Sequence, residues 1–125
     1  MSLFAVWGYD DIYGGEGGMK EVCIIEGTAE YAKDWAIQLA WNVIDSYSCI
    51  ADDLEENVIC ECEWDNIDPD SDEAESIRNR LYNEDMVYGY VVLDENKIPK
   101  NKSIEELEEE LFDDIDAFVL KYRIK

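Results

Sequence analysis

Leu3 to Trp7 is an unbroken apolar run, and a second short run, Glu21 to Ile25, is rich in β-branched side chains. Runs of this length predict strands, the first with both of its faces buried. Between them, Gly14-Gly15-Glu16-Gly17-Gly18 places four Gly in five positions, which breaks regular structure and predicts a mobile connecting loop. Thr28 then offers an N-cap. From there Ala32, Trp35, Ala36, Leu39, Val43 and Tyr47 fall at helical spacing, and Ile37, Ala40, Trp41 and Ile44 widen the stripe around most of the helix. A helix apolar on most sides belongs at the centre of a fold.

Ile50, Leu54, Val58 and Cys62 repeat every four residues and predict a second helix over about Ala51 to Glu63. Asp65 to Asp72 is an acidic, turn-forming linker. Ala74, Ile77 and Leu81 mark a third helix, on which Arg80 can pair with Glu84 four positions on. Met86 to Leu93 reads as a third strand, with Gly89 at a bulge, and Asp94 to Lys102 as a loop. Ser103-x-x-Glu106 is a capping box. Behind it Ile104, Leu107, Leu111, Ile115, Phe118 and Tyr122 keep one apolar face for about five turns. Lys121, Arg123 and Lys125 follow at the end where the helix dipole favours cations.

The pattern predicts a single α+β domain over residues 1–125 in the order ββαααβα. A small, three-stranded, mostly antiparallel sheet is covered on one face by about four helices. The expected core is Val6, Ile24, Leu39, Val43, Leu54, Ile77, Leu81, Val91, Leu107, Leu111 and Phe118.

Charge adds what patterning cannot. Thirty-two acidic residues against ten basic ones and no His leave a formal charge of −22 on 125 residues. Twelve carboxylates and no Lys or Arg lie between Ala51 and Glu75, and eight more occupy the twelve positions from Glu105 to Asp116. Building a core does not require this excess, and self-repulsion opposes it, so it points to a cationic partner. An apolar content of 47% with 12% aromatics excludes a disordered acidic tail. No stretch approaches the ~20 apolar residues of a membrane helix, and an anionic bilayer would repel the chain. Met1-Ser2-Leu3-Phe4 lacks a basic n-region, which predicts a cytoplasmic protein without a secretory signal. Cys23, Cys49, Cys60 and Cys62 accordingly read as reduced core thiols. With no His and no Cys-x₂₋₄-Cys spacing, zinc is not expected, and no metal or cofactor is assigned.

On a straight helix residues 105–116 rise about 17 Å, so eight carboxylates give one negative charge per ~2 Å, near the ~1.7 Å of duplex DNA. In size and charge the chain resembles the nucleic-acid mimics of phages and mobile elements, the antirestriction and anti-CRISPR proteins; its Trp7-Gly8-Tyr9-Asp10-Asp11 opening is similar to small phage proteins. The resemblance implies a non-enzymatic inhibitor that occupies the nucleic-acid-binding groove of a basic host defence protein and binds no nucleic acid directly. The candidate contact residues are Asp52, Asp53, Glu55, Glu56, Trp64, Asp65, Asp68, Asp70 and Asp72 on the first run, and Glu105, Glu106, Glu109, Glu110 and Asp113 on the second. A homodimer is among the assemblies the sequence allows.

Other chemistries are weighed beside this one. An acidic adaptor would recognise its partner through an apolar or aromatic patch, its binding lost on changing Tyr9, Tyr13 or Trp64. Asp68-x-Asp70-x-Asp72 opens like an EF-hand loop, but Glu73 and Asn79 stand where that loop needs Gly and Glu, so it reads as an acidic helix-entry turn. Pro69-Asp70 with Glu95-x-Lys97 looks like the signature of a restriction-type, metal-dependent nuclease. There the residues sit on paired strands, whereas here they fall before a helix and in a loop, and a chain of −22 would repel its substrate. The Gly-rich loop lacks the Gly-Lys-Ser/Thr of a phosphate cradle, and no His is present to activate a nucleophile.

Overall fold

β1 (Ser2–Asp10) is the middle strand of the sheet, and its side chains alternate between two buried faces. In the computed structural model, which describes residues 2–124, it is followed by β2 (Lys20–Gly27), α1 (Ala29–Ser46), α2 (Ser48–Trp64), α3 (Asp72–Asp85), β3 (Met86–Val92), α4 (Ile104–Asp113) and α5 (Ile115–Tyr122). The sheet order is β2-β1-β3, with both pairings antiparallel. This is the predicted α+β fold in the predicted order. Met1 and Lys125 lie outside the described residues.

Two cores flank the sheet. Phe4 and Val6 pack against Ala32, Ala36 and Leu39 of α1, whereas Ala5 and Ile24 pack against Leu107, Leu111, Phe118 and Tyr122 of α4 and α5. The expectation that helices cover one face is therefore corrected. The apolar faces of the last helices need a partner surface, and α1 already fills the other side. Each wholly buried Leu on α4 contributes about 1.5–3 kcal/mol.

α1 is as central as its wide apolar stripe predicts, for a further reason. Ala32, Ala36 and Ala40 recur every fourth position, and Gly8 of β1 lies beneath them, where a Cβ would meet the Ala40 nitrogen at 2.3 Å. Small residues on both elements let the backbones touch. Gly89 is not a bulge. It pairs in register with Trp7, whose indole fills the space its missing side chain leaves.

The last element is two helices rather than one. Asp114 is extended (φ −157°, ψ 99°), and its carboxylate accepts from Ala117 N at 3.1 Å, capping α5. An Asp flanked by apolar positions satisfies an i+4 pattern while its side chain starts a new helix. Ile77, Leu81 and Val91 are only half-buried, because α3 lies at the margin and β3 is an edge strand. Cys62 alone of the cysteines is fully buried; Cys23 is half-buried, and Cys49 and Cys60 are exposed, correcting the expectation of core thiols.

Between β1 and β2 the four loop glycines all adopt positive φ, from 61° to 81°, a region other residues disfavour. The run of Gly thus builds a defined left-handed turn. No helix of the described residues is long and apolar enough to cross a membrane.

Candidate partner-binding surface

The first acidic run divides between two sides of α2. Ile50, Leu54, Val58 and Cys62 turn inward, and α3 packs alongside with the arginines of the middle of the chain. Arg78 clasps Glu55 through Nε at 2.7 Å and Nη2 at 3.0 Å, and Tyr82 donates its hydroxyl to the same carboxylate at 3.0 Å. Those bonds, Arg78's first, hold the Glu55 carboxyl below its ordinary range. Arg78 also reaches Glu75 at 2.7 Å, and Arg80 bridges Glu61 and Glu84, the latter at the expected i,i+4 spacing. Asp53 accepts the Tyr13 hydroxyl at 2.5 Å, a bond that pushes the phenol up to about 12. Glu55 and Asp53, two of the expected contact residues, thus already have partners within the molecule.

Asp52 and Glu56 remain on the outer side of α2, and Trp64 at its end is 87% exposed. Asn66 (φ 57°) stops the helix. Asp65, Asp68, Asp70 and Asp72 follow in an exposed turn, where Asp68 accepts from Asp70 N at 3.0 Å and Ser71 caps α3. Asp72 opens α3, where the helix dipole favours a carboxylate. The segment has the form of a helix-entry turn. Glu95 and Lys97 lie in a short 3₁₀ turn after β3, and Lys97 Nζ donates to the Arg123 carbonyl. The nuclease-like residues are therefore off the strands, as their sequence context predicts.

On α4 the capping box is formed: Glu106 N donates to Ser103 Oγ at 3.1 Å, and Ser103 N donates back to Glu106 Oε1 at 3.3 Å. Glu110, another expected contact residue, is half-buried and has partners of its own. Lys102, Lys121 and the Tyr122 hydroxyl all donate to it, Lys121 and Tyr122 at 2.9 Å each. Burial pushes this carboxyl up, but the three donors outweigh it and hold it at about 2. Glu108 accepts the outward-facing amide of Ile24 at 2.9 Å. It plugs the open edge of β2, where a bare N–H would invite another strand. Cys23 beside it is pushed up to about 11, by burial first and then by this carboxylate.

Glu105, Glu106, Glu109 and Asp113 remain exposed, and none takes part in an ion pair among the described residues. Asp113 ends α4, where a carboxylate opposes the helix dipole and weakens the fold. Glu105, Glu108, Glu109 and Asp113 border a shallow groove of about 590 Å³ floored by Val22 and Phe112. Lys20 is drawn over the Phe112 ring at 4.8 Å from its centre.

The break at Asp114 and the pairing of Glu110 revise the charge density. Four exposed carboxylates outside any ion pair, Glu106 among them with one oxygen in the capping box, span about 12 Å over residues 105–113, or one per ~4 Å, the spacing of one phosphate strand (~3.4 Å) rather than of a duplex. The two acidic runs also do not merge. α4 lies on one face of the sheet and α2 beyond the end of α1, with the β1–β2 loop between them through Tyr13–Asp53 and Lys20–Phe112. Tyr9 and Tyr13 are half-buried, whereas Trp64 is exposed at the end of α2. Sequence reading missed an exposed edge-to-face pair, Tyr31 and Trp35, on the outer side of α1. Comparisons with protein-family models, curated proteins and solved structures returned no match for this chain.

Proposed function

We propose that this chain is a non-catalytic inhibitor that occupies the nucleic-acid-binding groove of a basic partner, a bacterial defence effector of the CRISPR or restriction type, in the bacterial cytoplasm. The carrying observation is the exposed row Glu105, Glu106, Glu109 and Asp113, none of it in an ion pair among the described residues and spaced like the charges of one phosphate strand. A groove built for phosphates presents Arg and Lys at intervals this row matches. The apolar floor of Val22 and Phe112 adds contact area that does not depend on salt.

Immobilised protein is used to capture partners from a nuclease-treated bacterial lysate, and the captured protein is challenged with duplex DNA and with RNA. The reading predicts that one of them displaces the chain competitively. A captured protein that binds the chain and nucleic acid simultaneously contradicts it.

Trp64, at 87% exposure, favours the adaptor reading as an alternative. That reading predicts binding that persists at ~1 M salt, where the Debye length falls to ~3 Å, and is lost in Trp64→Ala.

A further inference from the structure

The end of β1 and the α3–β3 junction bring two carboxylates into the interior. Asp10 is wholly buried and Asp85 is 7% exposed. They converge because the chain turns sharply after β1. Tyr13 N–H donates to Asp10 Oδ2 at 3.0 Å, and the preceding amide, Ile12 N–H, donates to Asp85 Oδ1 at 3.2 Å. The two carboxyl groups thus bond adjacent amides of one turn. Asp11 N–H donates to the Asp85 carbonyl at 2.8 Å and fixes the turn.

The second oxygen of each group, Asp10 Oδ1 and Asp85 Oδ2, is buried and has no hydrogen-bond partner within the protein. None of the six ion pairs among the described residues involves either carboxylate. Neighbouring buried carboxylates without a counter-charge are the arrangement that desolvation penalises most. The net charge of −22 makes every long-range contribution worse. A cleft of about 170 Å³ opens beside Asp85, and Asp11, Asn57 and Glu84 line it.

We infer that Asp10 and Asp85 hold a hard divalent cation of magnesium size, admitted through this cleft, with water completing its shell. Among the described residues no three His, Cys, Asp or Glu side chains converge on one metal position. That ligand count disfavours calcium, which collects six to eight oxygens, and suits magnesium, which keeps several waters and takes one or two carboxylates. The ion ties β1 to the start of β3 and so fixes the intervening loop. Tyr13 of that loop holds Asp53 on α2, and Lys20 at its far end meets Phe112 on α4. The cation thus sets how the two acidic helices stand to each other, whatever partner they meet.

The test is thermal melting of the full chain in EDTA, in 5 mM MgCl₂, and in NaCl of equal ionic strength, for the wild type and for Asp10→Asn and Asp85→Asn. A rise of about 4 °C or more in wild type with magnesium over matched NaCl is expected, and neither variant should show it. As a readout that needs no variant, Mn²⁺ should broaden the amide resonances of Asp11, Ile12 and Tyr13 first, and excess Mg²⁺ should reverse this. A magnesium response that NaCl reproduces, or that survives in both variants, overturns the inference. So does broadening that begins elsewhere, or a melting temperature that depends on pH at this pair and on no cation, which would make a proton the counter-charge.

Discussion

α2 and α4 carry six carboxylates each, but α4 leaves more of its charge free over a shorter length. On α2, arginines 78 and 80 and the Tyr13 hydroxyl take up Glu55, Glu61 and Asp53, leaving Asp52, Glu56 and Glu63 over a rise of about 16 Å. On α4 the two nearest lysines both converge on Glu110, leaving four exposed carboxylates over about 12 Å. Exposed charge outside ion pairs is thus one per ~8 Å on α2 and one per ~4 Å on α4. What separates the helices is where the few cations sit. An acidic run next to an arginine-bearing helix becomes structural, and one whose lysines share a single target stays available.

The largest expected effect breaks this comparison directly. Reversing the free row with Glu105→Lys, Glu109→Lys and Asp113→Lys should weaken binding to the captured partner at least ~100-fold, about 2.7 kcal/mol. The matched reversal on α2, Asp52→Lys, Glu56→Lys and Glu63→Lys, should cost less than ~10-fold. Both variants should melt within about 0.5 kcal/mol of wild type, since no partner side chain is lost. Equal losses from the two helices would refute the distinction.

Next comes Glu110→Gln, which leaves its lysines without their shared carboxylate and should cost about 2 kcal/mol at pH 7 by chemical denaturation. Because this carboxyl is held at about 2 in the fold, its stabilisation is complete above its ordinary value of 4.5 and is lost as pH falls through about 2. The gap between wild type and variant should therefore narrow below pH 4.5 and close near pH 2. A gap independent of pH would mean that packing, not charge, is responsible.

Glu55→Gln should cost about 1 kcal/mol, discounted because both partners are partly exposed, with binding unchanged. Smallest is Glu84→Gln, about 0.3 kcal/mol, since its 3.6 Å pair with Arg80 is exposed.

Local signals in the chain were readable where they depend on near neighbours. Thr28 and Ser103 cap the helices they precede, and the four-residue repeat from Ile50 to Cys62 forms the buried side of α2. Glu106 belongs to that class too, its structural role visible in the capping box. What pairing across the fold decides was not readable. Arg78 lies 23 residues from Glu55, and Glu108 meets the Ile24 amide across 84 residues. Asp114 fits a helical pattern on both sides and shows its capping role only in its dihedral angles. Asp10 reads as an ordinary strand end, and its burial beside Asp85 depends on a register that periodicity does not specify. Consequently six of the fourteen candidate contact residues, Asp52, Glu56, Trp64, Glu105, Glu109 and Asp113, lie exposed on α2 and α4 without internal partners, while Asp53, Glu55 and Glu110 were claimed by the molecule itself.

The most direct measurement is the affinity for the captured partner as NaCl rises from 50 to 200 mM, for wild type and for the Glu105→Lys, Glu109→Lys, Asp113→Lys variant. The account predicts that wild-type affinity falls at least ~10-fold across this range while the variant, already weak, barely responds. A wild type indifferent to salt, or a variant that binds and responds as wild type does, would contradict it.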